Sequence, residues 1–408
     1  MTAVVFYFQV HQPFRLRPGL DWFDDAENAR IVRRVAEKCY LPMTALLLRL
    51  IEQHGRKFQC AFSISGTALD QFEQWSPETL TAFKKLAKTG CVEFLAETSH
   101  HSLAALFDLE EFDAQVARQR KRIEKLFGQT PTTFRNTELV VDNKIARRAE
   151  ELGFTAILGE GADRLLGARS ARAVWVPETC DGIKLLLRSY SLSDDIAFRF
   201  SNRGWEKWPL SARTWASWLH QVPEPDGVVN LFMDFETFGE HQWADSGIFA
   251  FMEQLPAAVL ADERFVFKTP AVAAADAEPA GRLDIQSPVS WADTERDLTA
   301  WLGNMMQRTA AEALYAHSKR LRAAGKKHPK LLESWRRLTT SDHLYYMCTK
   351  WFADGDVHKY FSPYPSPHEA YVVFMNVLDD LELRLAAAGA EPAATRAAAA
   401  KKKAEGAG

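Results

Sequence analysis

Side chains capable of acid–base chemistry are concentrated in a few short segments, each of which follows a short apolar run. These segments contain carboxylates, amides and imidazoles: 11–14 (HQPF), 63–66 (SISG), 97–101 (ETSHH), 135–138 (RNTE) and 234–241 (DFETFGEH). Cleavage of a glycosidic bond needs a protonated carboxyl group to assist the leaving oxygen and an ionised one to attack carbon or activate water. Several carboxylates converging on one face would suit this chemistry, although spacing alone does not identify the catalytic pair.

Each segment also has an ordinary structural explanation. A single His-Gln-Pro is more often a turn with a satisfied histidine, and Glu138 could be an acid at the start of a helix. Segment 234–241 favours a functional role, because a solvated loop would seldom keep two bulky phenylalanines among its acids. Trp215 and Trp218 are three residues apart, which indicates a buried helix face more than a sugar platform.

The elements that would position these side chains alternate between strand-like and helical patterns. The strand-like runs lie at 4–10, 58–64, 92–96, 133–137, 155–158, 184–187 and 228–233. Helix punctuation separates them: Ser76-Pro77-Glu78 is typical of an N-cap, an N1 proline and a first-turn acid, and Asp108 and Asp142 are candidate N-caps. This alternation predicts an α/β fold of parallel βαβ units with a barrel-like sheet. Working residues in such barrels lie at the C-terminal ends of the strands.

The chain divides into three regions by composition and pattern. Residues 1–270 carry the strand–helix alternation and are predicted to form the barrel domain. A stretch rich in Ala and Pro around 270–280 is typical of a joint, and 281–385 has mostly helical patterns. We expect the latter to be a helical C-terminal region packed on the barrel. Residues 386–408 are almost only Ala, Lys, Gly and Glu, which cannot bury a core and predict a disordered tail.

The bulk composition argues against several classes of protein. The chain has 50 basic and 53 acidic residues and a net charge of −3, which disfavours nucleic acid or an anionic membrane as the main partner. Five scattered cysteines without a CxxC pair indicate reduced thiols. The N-terminus is a poor signal peptide, and no stretch approaches the roughly 18 apolar residues of a membrane span. We therefore expect a cytoplasmic protein; its oligomeric state is unknown.

Taken together, the polar segments resemble family 57 of the glycoside hydrolases, and the chain is similar to its α-amylase-type members. Five motifs of that family occur in order over about residues 11–346: His11-Gln12-Pro13, Gly90-Cys91-Val92-Glu93, Asn136-Thr137-Glu138, Asp234 ahead of Phe238-Gly239, and Ser341-Asp342. Segments 192–195 (LSDD), 291–293 (WAD) and 301–304 (WLGN) are also similar to this family. One motif is weak evidence, but five in a fixed order over most of the chain are specific.

The resemblance implies an incomplete seven-stranded (β/α) barrel followed by helices, acting on α-glucans without a metal or other cofactor. It implies a retaining mechanism through a glycosyl-enzyme intermediate, with Glu138 as nucleophile and Asp234 as general acid/base. Substrate contacts are expected at seven positions: His11, Gln12, Glu93, Glu236, His241, Trp243 and Asp342. Cys91 departs from the pattern, since many members carry Gln there, and this leaves the substrate contact at that position open.

Other functions fit parts of the pattern. A 4-α-glucanotransferase or branching enzyme of the same family would have identical catalytic residues, although branching members tend to be longer. A metal-dependent polysaccharide deacetylase has a related barrel, but His100-His101-Ser102-Leu103 lacks a second histidine at the required offset. A non-catalytic glucan-binding protein would bind amylose without releasing products. The preferred glucan and the ratio of hydrolysis to transfer do not follow from the sequence.

Overall fold

The computed structural model describes residues 1–19, 21–223, 227–350 and 362–389. Its strands are β1 Thr2–Val10, β2 Cys60–Ile64, β3 Val92–Phe94, β4 Thr133–Arg135, β5 Ala156–Glu160, β6 Val176–Pro177, β7 Lys184–Arg188, β8 Val228–Asp234, β9 Phe265–Phe267 and β10 Arg282–Leu283. Its helices are α1 Asp25–Val35, α2 Leu41–His54, α3 Gly66–Trp75, α4 Pro77–Lys88, α5 Ala104–Phe107, α6 Leu109–Phe127, α7 Asn143–Glu151, α8 Asp163–Leu166, α9 Tyr190–Ala197, α10 Ala212–Leu219, α11 Ile248–Val259, α12 Pro270–Asp276, α13 Thr299–Leu302, α14 Met305–Ala316, α15 Ser318–Gly325, α16 Pro329–Leu338, α17 Asp342–Tyr345 and α18 Pro367–Ala387.

The main sheet is parallel, and its strand order is β3-β2-β1-β8-β7-β5-β4, with β9 also paired to β1. The two end strands approach each other just beyond β3. Ala96 forms a parallel bridge with Phe134, and the N–H of Arg135 donates to the carbonyl of Ala96 at 2.8 Å. The sheet is therefore a nearly closed α/β barrel. All seven strands predicted from the sequence take part in it, so the predicted fold class is confirmed.

The two faces of β1 have different surroundings. Residues of one face line the barrel interior and those of the other meet the surrounding helices: Ala3, Val5 and Tyr7 are interior, and Val4, Phe6 and Phe8 face outward. Neighbours in register in a parallel sheet point to the same side. Gln9 is in register with Ser63 of β2 and Asp234 of β8, so these three side chains share the interior face. The barrel is thus apolar at the amino ends of its strands and polar at their carboxyl ends.

The predicted helix starts are confirmed. Helix α4 begins at Pro77 after Ser76, and α6 begins after Asp108. The side chain of Asp142 accepts from the N–H of Ile145 at 2.8 Å at the start of α7, a cap that contributes about 1 kcal/mol. Strands β6, β9 and β10 were not predicted, because runs of two or three residues are too short to show an alternating pattern.

The described residues form two compact units. The first comprises Met1–Gln12, Asp25–His101 and Asp113–Leu298. The first unit therefore continues past residue 270, where the sequence predicted a joint. The expected joint contains α12, whose Ala273 and Ala274 are buried, and it is followed by β10, which pairs with β6. Short apolar side chains that pack well account for the Ala-rich composition there.

The second unit comprises Pro13–Asp24, Ser102–Phe112 and the described residues from Thr299 onward. Its described elements from α13 to α18 are all helices, as the pattern of this region predicts. The indole N–H of Trp335 donates to the carbonyl of Leu314 at 3.0 Å. Residues 390–408 of the predicted tail lie outside the described residues, and α18 ends at Ala387.

The five cysteines all lie in the described part of the chain, where they are buried and unpaired. None of the described helices is both long and apolar enough to cross a membrane. A group of three or more His, Cys, Asp or Glu side chains placed to hold a metal ion does not occur among the described residues.

Candidate active site

Glu138 lies three residues beyond the end of β4, in a 3₁₀ turn at the carboxyl end of the barrel. Its backbone is left-handed, with φ 57° and ψ 26°, a conformation that costs about 1–2 kcal/mol for a residue with a side chain. The indole N–H of Trp291 donates to Glu138 Oε2 at 2.7 Å, and His101 Nε2 lies 3.0 Å from Oε1. Both carboxylate oxygens are therefore held, while 17% of the side chain is still exposed and can be reached by a substrate.

The surroundings of Glu138 favour its ionised form. Burial by itself would raise the pKa of Glu138, but the hydrogen bond and the positive charge of His101 outweigh burial, with help from Arg135 and Trp291. The pKa of Glu138 consequently lies below its ordinary value of 4.5. A carboxylate in this state can act as a nucleophile or a base.

Asp234 is the last residue of β8, and its surroundings have the opposite effect. Burial raises the pKa of Asp234, and the negative charge of Glu138 raises it further, to about 7. The positive charges of Arg135, His101 and Arg188 lower this pKa without cancelling the rise. The two carboxyl groups thus interact, and between their two pKa values Glu138 is ionised while Asp234 retains its proton.

Glu236 lies two residues beyond Asp234 and is held by a buried chain of hydrogen bonds. Gln12 Nε2 donates to Tyr40 Oη at 3.0 Å, and Tyr40 Oη donates to Glu236 Oε1. The backbone N–H of His11 also donates to Glu236. Burial raises the pKa of Glu236 to about 8, and the nearby Asp234 contributes to this rise. The His-Gln segment after β1 and the acidic segment after β8 therefore meet through Tyr40.

Two buried arginines lie on the interior side of these carboxyl groups. The guanidinium of Arg135 is 4.9 Å from the centre of the Phe232 ring, and that of Arg188 is 6.0 Å from the same ring. Arg188 Nε also donates to the carbonyl of Phe232 at 3.0 Å. Phe232 precedes Asp234 by two residues on β8, so the arginines supply positive charge one layer below the acidic groups.

The loop that carries Trp291 is tied to the barrel by ion pairs. Arg296 Nη1 lies 3.2 Å from Glu160 Oε1, and its Nη2 lies 3.6 Å from Asp194 Oδ2. Arg188 pairs with the same two carboxylates, and its guanidinium is 5.5 Å from the centre of the Trp291 ring. These four charged groups hold the loop in a position where the indole reaches Glu138.

The family of this chain follows from a direct comparison. The model described as Glycosyl hydrolase family 57 matches residues 5–286. The chain belongs to this family. A relative from Methanocaldococcus jannaschii, provisionally named an alpha-amylase, is 40% identical over 397 residues, which cover 93% of this chain and 84% of that protein.

Solved structures of other enzymes share the fold. A branching enzyme from Pyrococcus horikoshii matches with a TM-score of 0.70 at 13% identity, over 94% of this chain and 90% of that one. An alpha-amylase from Thermotoga maritima matches with a TM-score of 0.60 at 12% identity, over 93% of each chain. These similarities show the incomplete barrel with C-terminal helices as the fold of this family 57 member.

The structure brings several of the expected family 57 site residues together. Gln12 is linked to Glu236 through Tyr40, the backbone N–H of His11 donates directly to Glu236, and Glu138 and Asp234 interact electrostatically. The His11 ring also stacks on the His101 ring, with centroids 4.0 Å apart. Substrate contact by these residues remains a prediction.

Three further expected residues lie in different surroundings. His241 follows Glu236 in the segment after β8, and burial lowers the pKa of His241 to about 4, so its ring is neutral near pH 7. Trp243 is 59% exposed and presents its ring to solvent. Asp342 belongs to the second unit, where it is the first residue of α17. Their predicted contacts with substrate also remain predictions.

The structure corrects the expectation for Glu93. Glu93 Oε2 accepts from the N–H of Ala271 at 2.9 Å, at the start of α12, and burial raises the pKa of this carboxyl group, which the nearby Thr133 and Thr269 only partly offset. Glu93 is in register with Ala61, two residues nearer the amino end than Ser63. It therefore stabilises a helix start away from Glu138. Cys91 precedes Glu93, and its carbonyl accepts from the N–H of Cys60, so it lies farther still from the site.

Sequence reasoning assigned no role to four residues that surround Glu138 and Glu236. Glu97 and His101 were recognised only as polar residues at a strand end, Trp291 only as part of a segment similar to the family, and Tyr40 not at all. Strand direction is the signal that could have found Glu97, because it lies farther along the third strand than Glu93. Tyr40 lies 196 residues from Glu236 in sequence, and no local pattern connects them.

Proposed function

We propose that this family 57 member is a retaining glycoside hydrolase that cleaves α-1,4 linkages in α-glucans, with Glu138 as nucleophile and Asp234 as general acid/base. The observation that carries the proposal is the separation of the two pKa values. The pKa of Glu138 lies below 4.5 and that of Asp234 is raised to about 7. Between these values one carboxyl is ionised and the other protonated, which is the arrangement that acid-assisted glycoside cleavage needs.

The proposed reaction has two displacement steps. In the first, an oxygen of Glu138 forms a bond to the anomeric carbon, the glycosidic bond breaks, and the proton of Asp234 passes to the departing oxygen. In the second, water gives a proton to Asp234 and attacks the same carbon, and the bond to Glu138 breaks. Two inversions retain the anomeric configuration.

The substrate class rests on the family and on the relative named as an alpha-amylase. In the proposed complex, Glu236, His241 and the His11-Gln12 segment bind sugar hydroxyls, which need donors and acceptors in fixed positions. The exposed ring of Trp243 would stack on the apolar face of a glucose unit.

The nucleophile is tested by Glu138→Gln with Glu93→Gln as the matched control. Glu138→Gln keeps the size of the side chain but removes the attacking charge, so turnover of maltoheptaose should fall by more than ~100-fold, about 2.7 kcal/mol of barrier. Glu93→Gln changes a carboxyl of the same barrel that lies away from Glu138, and turnover should stay near that of the wild type. NMR of early products should show the α-anomer first. Initial release of the β-anomer, or full activity of Glu138→Gln, would refute the mechanism.

The products identify the reaction within the family. The wild-type protein is incubated with amylose, maltoheptaose and glycogen, and the products are separated by chromatography and analysed for linkage. Shorter oligosaccharides alone are the expected result. Oligosaccharides longer than the substrate would instead indicate transfer, and new α-1,6 linkages would indicate branching.

A further inference from the structure

A second carboxylate lies behind the histidine that contacts Glu138. Glu97, just beyond β3, is fully buried, and its Oε2 lies 2.9 Å from His101 Nδ1. The other nitrogen of the same ring, Nε2, lies 3.0 Å from Glu138 Oε1. A single imidazole therefore bridges two carboxylates, one buried and one at the exposed end of the barrel.

The hydrogen-bonding groups on either side of His101 determine the protonation state of its ring. A neutral imidazole has one donor and one acceptor nitrogen, whereas a protonated ring has two donors. Glu97 Oε1 accepts from Gln9 Nε2 at 3.1 Å and from Ser63 Oγ at 2.9 Å, so Glu97 is surrounded by donors, as an ionised carboxylate requires. A ring between two ionised carboxylates satisfies both only as the cation.

The other groups around the ring agree with this state. Burial alone would lower the pKa of His101, but the hydrogen bonds and charges of Glu138 and Glu97 raise it to about 9. The His11 ring stacks on one face of His101, and the positive charge of His101 lowers the pKa of Asp234. The left-handed backbone of His101, with φ 51°, is a further sign that the surroundings hold this residue in one orientation.

We propose that Glu97 is a positioning residue for the reaction: it acts through His101, keeping that ring protonated and oriented toward the nucleophile throughout the catalytic cycle. The inference rests on the proposed function, because it takes Glu138 to be the nucleophile. When Glu138 forms its bond to the sugar, its negative charge is lost. Glu97 then remains as the ionised partner that holds the proton on His101.

Glu97 therefore matters most in the second displacement. As the bond between the anomeric carbon and Glu138 breaks, the electron pair returns to the carboxylate, and the N–H of His101 stabilises the charge that develops there. No proton leaves His101 in this step, since the proton of the attacking water passes to Asp234. Without Glu97, His101 would lose its proton at a lower pH, and Glu138 would become a poorer leaving group.

The first experiment measures the titration of His101 by NMR of the full-length protein labelled with ¹⁵N-histidine. In the wild type, His101 should titrate with a pKa of about 9. In Glu97→Gln this pKa should be lower by at least about one unit, a ten-fold change in the dissociation constant. Glu240→Gln is the control, since Glu240 is buried against Arg34 at 2.7 Å; it should leave the titration unchanged. A wild-type His101 that titrates near its ordinary value of 6.5 would overturn the proposal without any variant.

The second experiment measures the breakdown of the intermediate. An α-maltoside with a dinitrophenolate leaving group makes the first displacement fast, so the slow phase after the burst reports the second. Glu97→Gln should slow this phase roughly 10-fold at pH 8 and less at pH 6, where His101 still carries its proton. Glu97→Asp, which retains the charge, should recover part of the loss.

The outcomes separate this inference from the proposed function. An unchanged His101 titration in Glu97→Gln, or an equal loss of rate at both pH values, would overturn the role of Glu97 even if Glu138→Gln is inactive. Full activity of Glu138→Gln would overturn the proposed function and this role with it, although His101 would still titrate at high pH.

Discussion

Replacement of Trp291 by Phe tests whether this tryptophan helps to keep the proposed nucleophile ionised. The indole N–H donates to Glu138 Oε2 at 2.7 Å, and the ring packs edge-on against Phe232, with centroids 5.0 Å apart. Phenylalanine keeps a ring for this packing and removes the donor. A hydrogen bond to the charged form of an acid lowers the pKa of that acid, so the pKa of Glu138 should rise in the variant.

The magnitude follows from the kind of bond that is lost. A hydrogen bond to a charged group contributes about 1.5–3 kcal/mol, which corresponds to a roughly 10- to 150-fold change in the acid dissociation constant. The acid limb of the profile of kcat/KM against pH should therefore move up by about one pH unit or more. The maximum should also fall, because Glu138 loses one of the contacts that orient it.

The assay is the pH dependence of kcat/KM on maltoheptaose for the wild type, Trp291→Phe and Trp215→Phe. Trp215 is the matched control, because it is fully buried and donates its indole N–H to the carbonyl of Leu192 at 3.1 Å. Trp215→Phe should lower thermal stability and leave the acid limb in place. An acid limb that does not move in Trp291→Phe, or that moves equally in both variants, would refute the reasoning.

Three other outcomes are expected. The wild-type profile of kcat/KM should be bell-shaped: activity falls below the lowered pKa of Glu138 as this group gains a proton, and falls above about pH 7 as Asp234 loses its own; an alkaline limb at the same pH in Asp234→Asn would contradict the assignment. Gly239→Ala should lower the free energy of unfolding in urea by at least about 2 kcal/mol, because φ is +111° and a Cβ would lie 2.0 Å from the carbonyl oxygen of Lys38. Trp243→Ala should raise KM for maltoheptaose by about 2- to 10-fold with little change in kcat, and an unchanged KM would exclude stacking at this ring.

The barrel could be predicted because its strands are buried on both faces. Such strands give short, nearly continuous apolar runs bounded by helix caps, and β1 and β8 are clear examples. The joint predicted at 270–280 was wrong, because composition alone was used to predict it. Ala-rich composition is equally compatible with a linker and with a closely packed helix, and α12 is the latter.

The positions of Glu138 and Asp234 at the carboxyl end of the barrel could be predicted, because Asp234 ends β8 and Glu138 comes three residues after β4, where a barrel collects its polar side chains. Their roles came from the resemblance to family 57 and remain a proposal. Glu93 was selected because the motif was matched without considering the direction of the strand. Glu93 lies within β3 and Glu97 three residues beyond its end, and four residues of extended chain span about 13 Å. The motif selects Glu93, whereas only Glu97 is near the carboxyl end, where it meets His101.

The position of Trp291 beside Glu138 could not be predicted from the sequence for a different reason. Trp291 lies 153 residues from Glu138 in sequence, and its loop is held by the ion pairs of Arg296 with Glu160 and Asp194 and by the bridge between Val289 and Val141. No periodicity or cap in the sequence encodes a contact that depends on buried ion pairs between distant segments. Such contacts require the folded barrel, since the charges are brought together only when β5, β7 and α9 are in place.

Within the first unit, features that lower the stability of the fold are concentrated at the carboxyl end of the barrel, which indicates that this end is organised for chemistry. Buried ion pairs often contribute little to stability, because desolvation offsets their attraction, and a left-handed backbone at a residue with a side chain adds strain. Both features occur at His101 and Glu138, and Leu139 also has a positive φ of 53°. A barrel that needed only to fold could fill its carboxyl end with apolar side chains, so charge and strain maintained at the same two residues are best explained by a need to hold one carboxylate ionised, oriented and accessible.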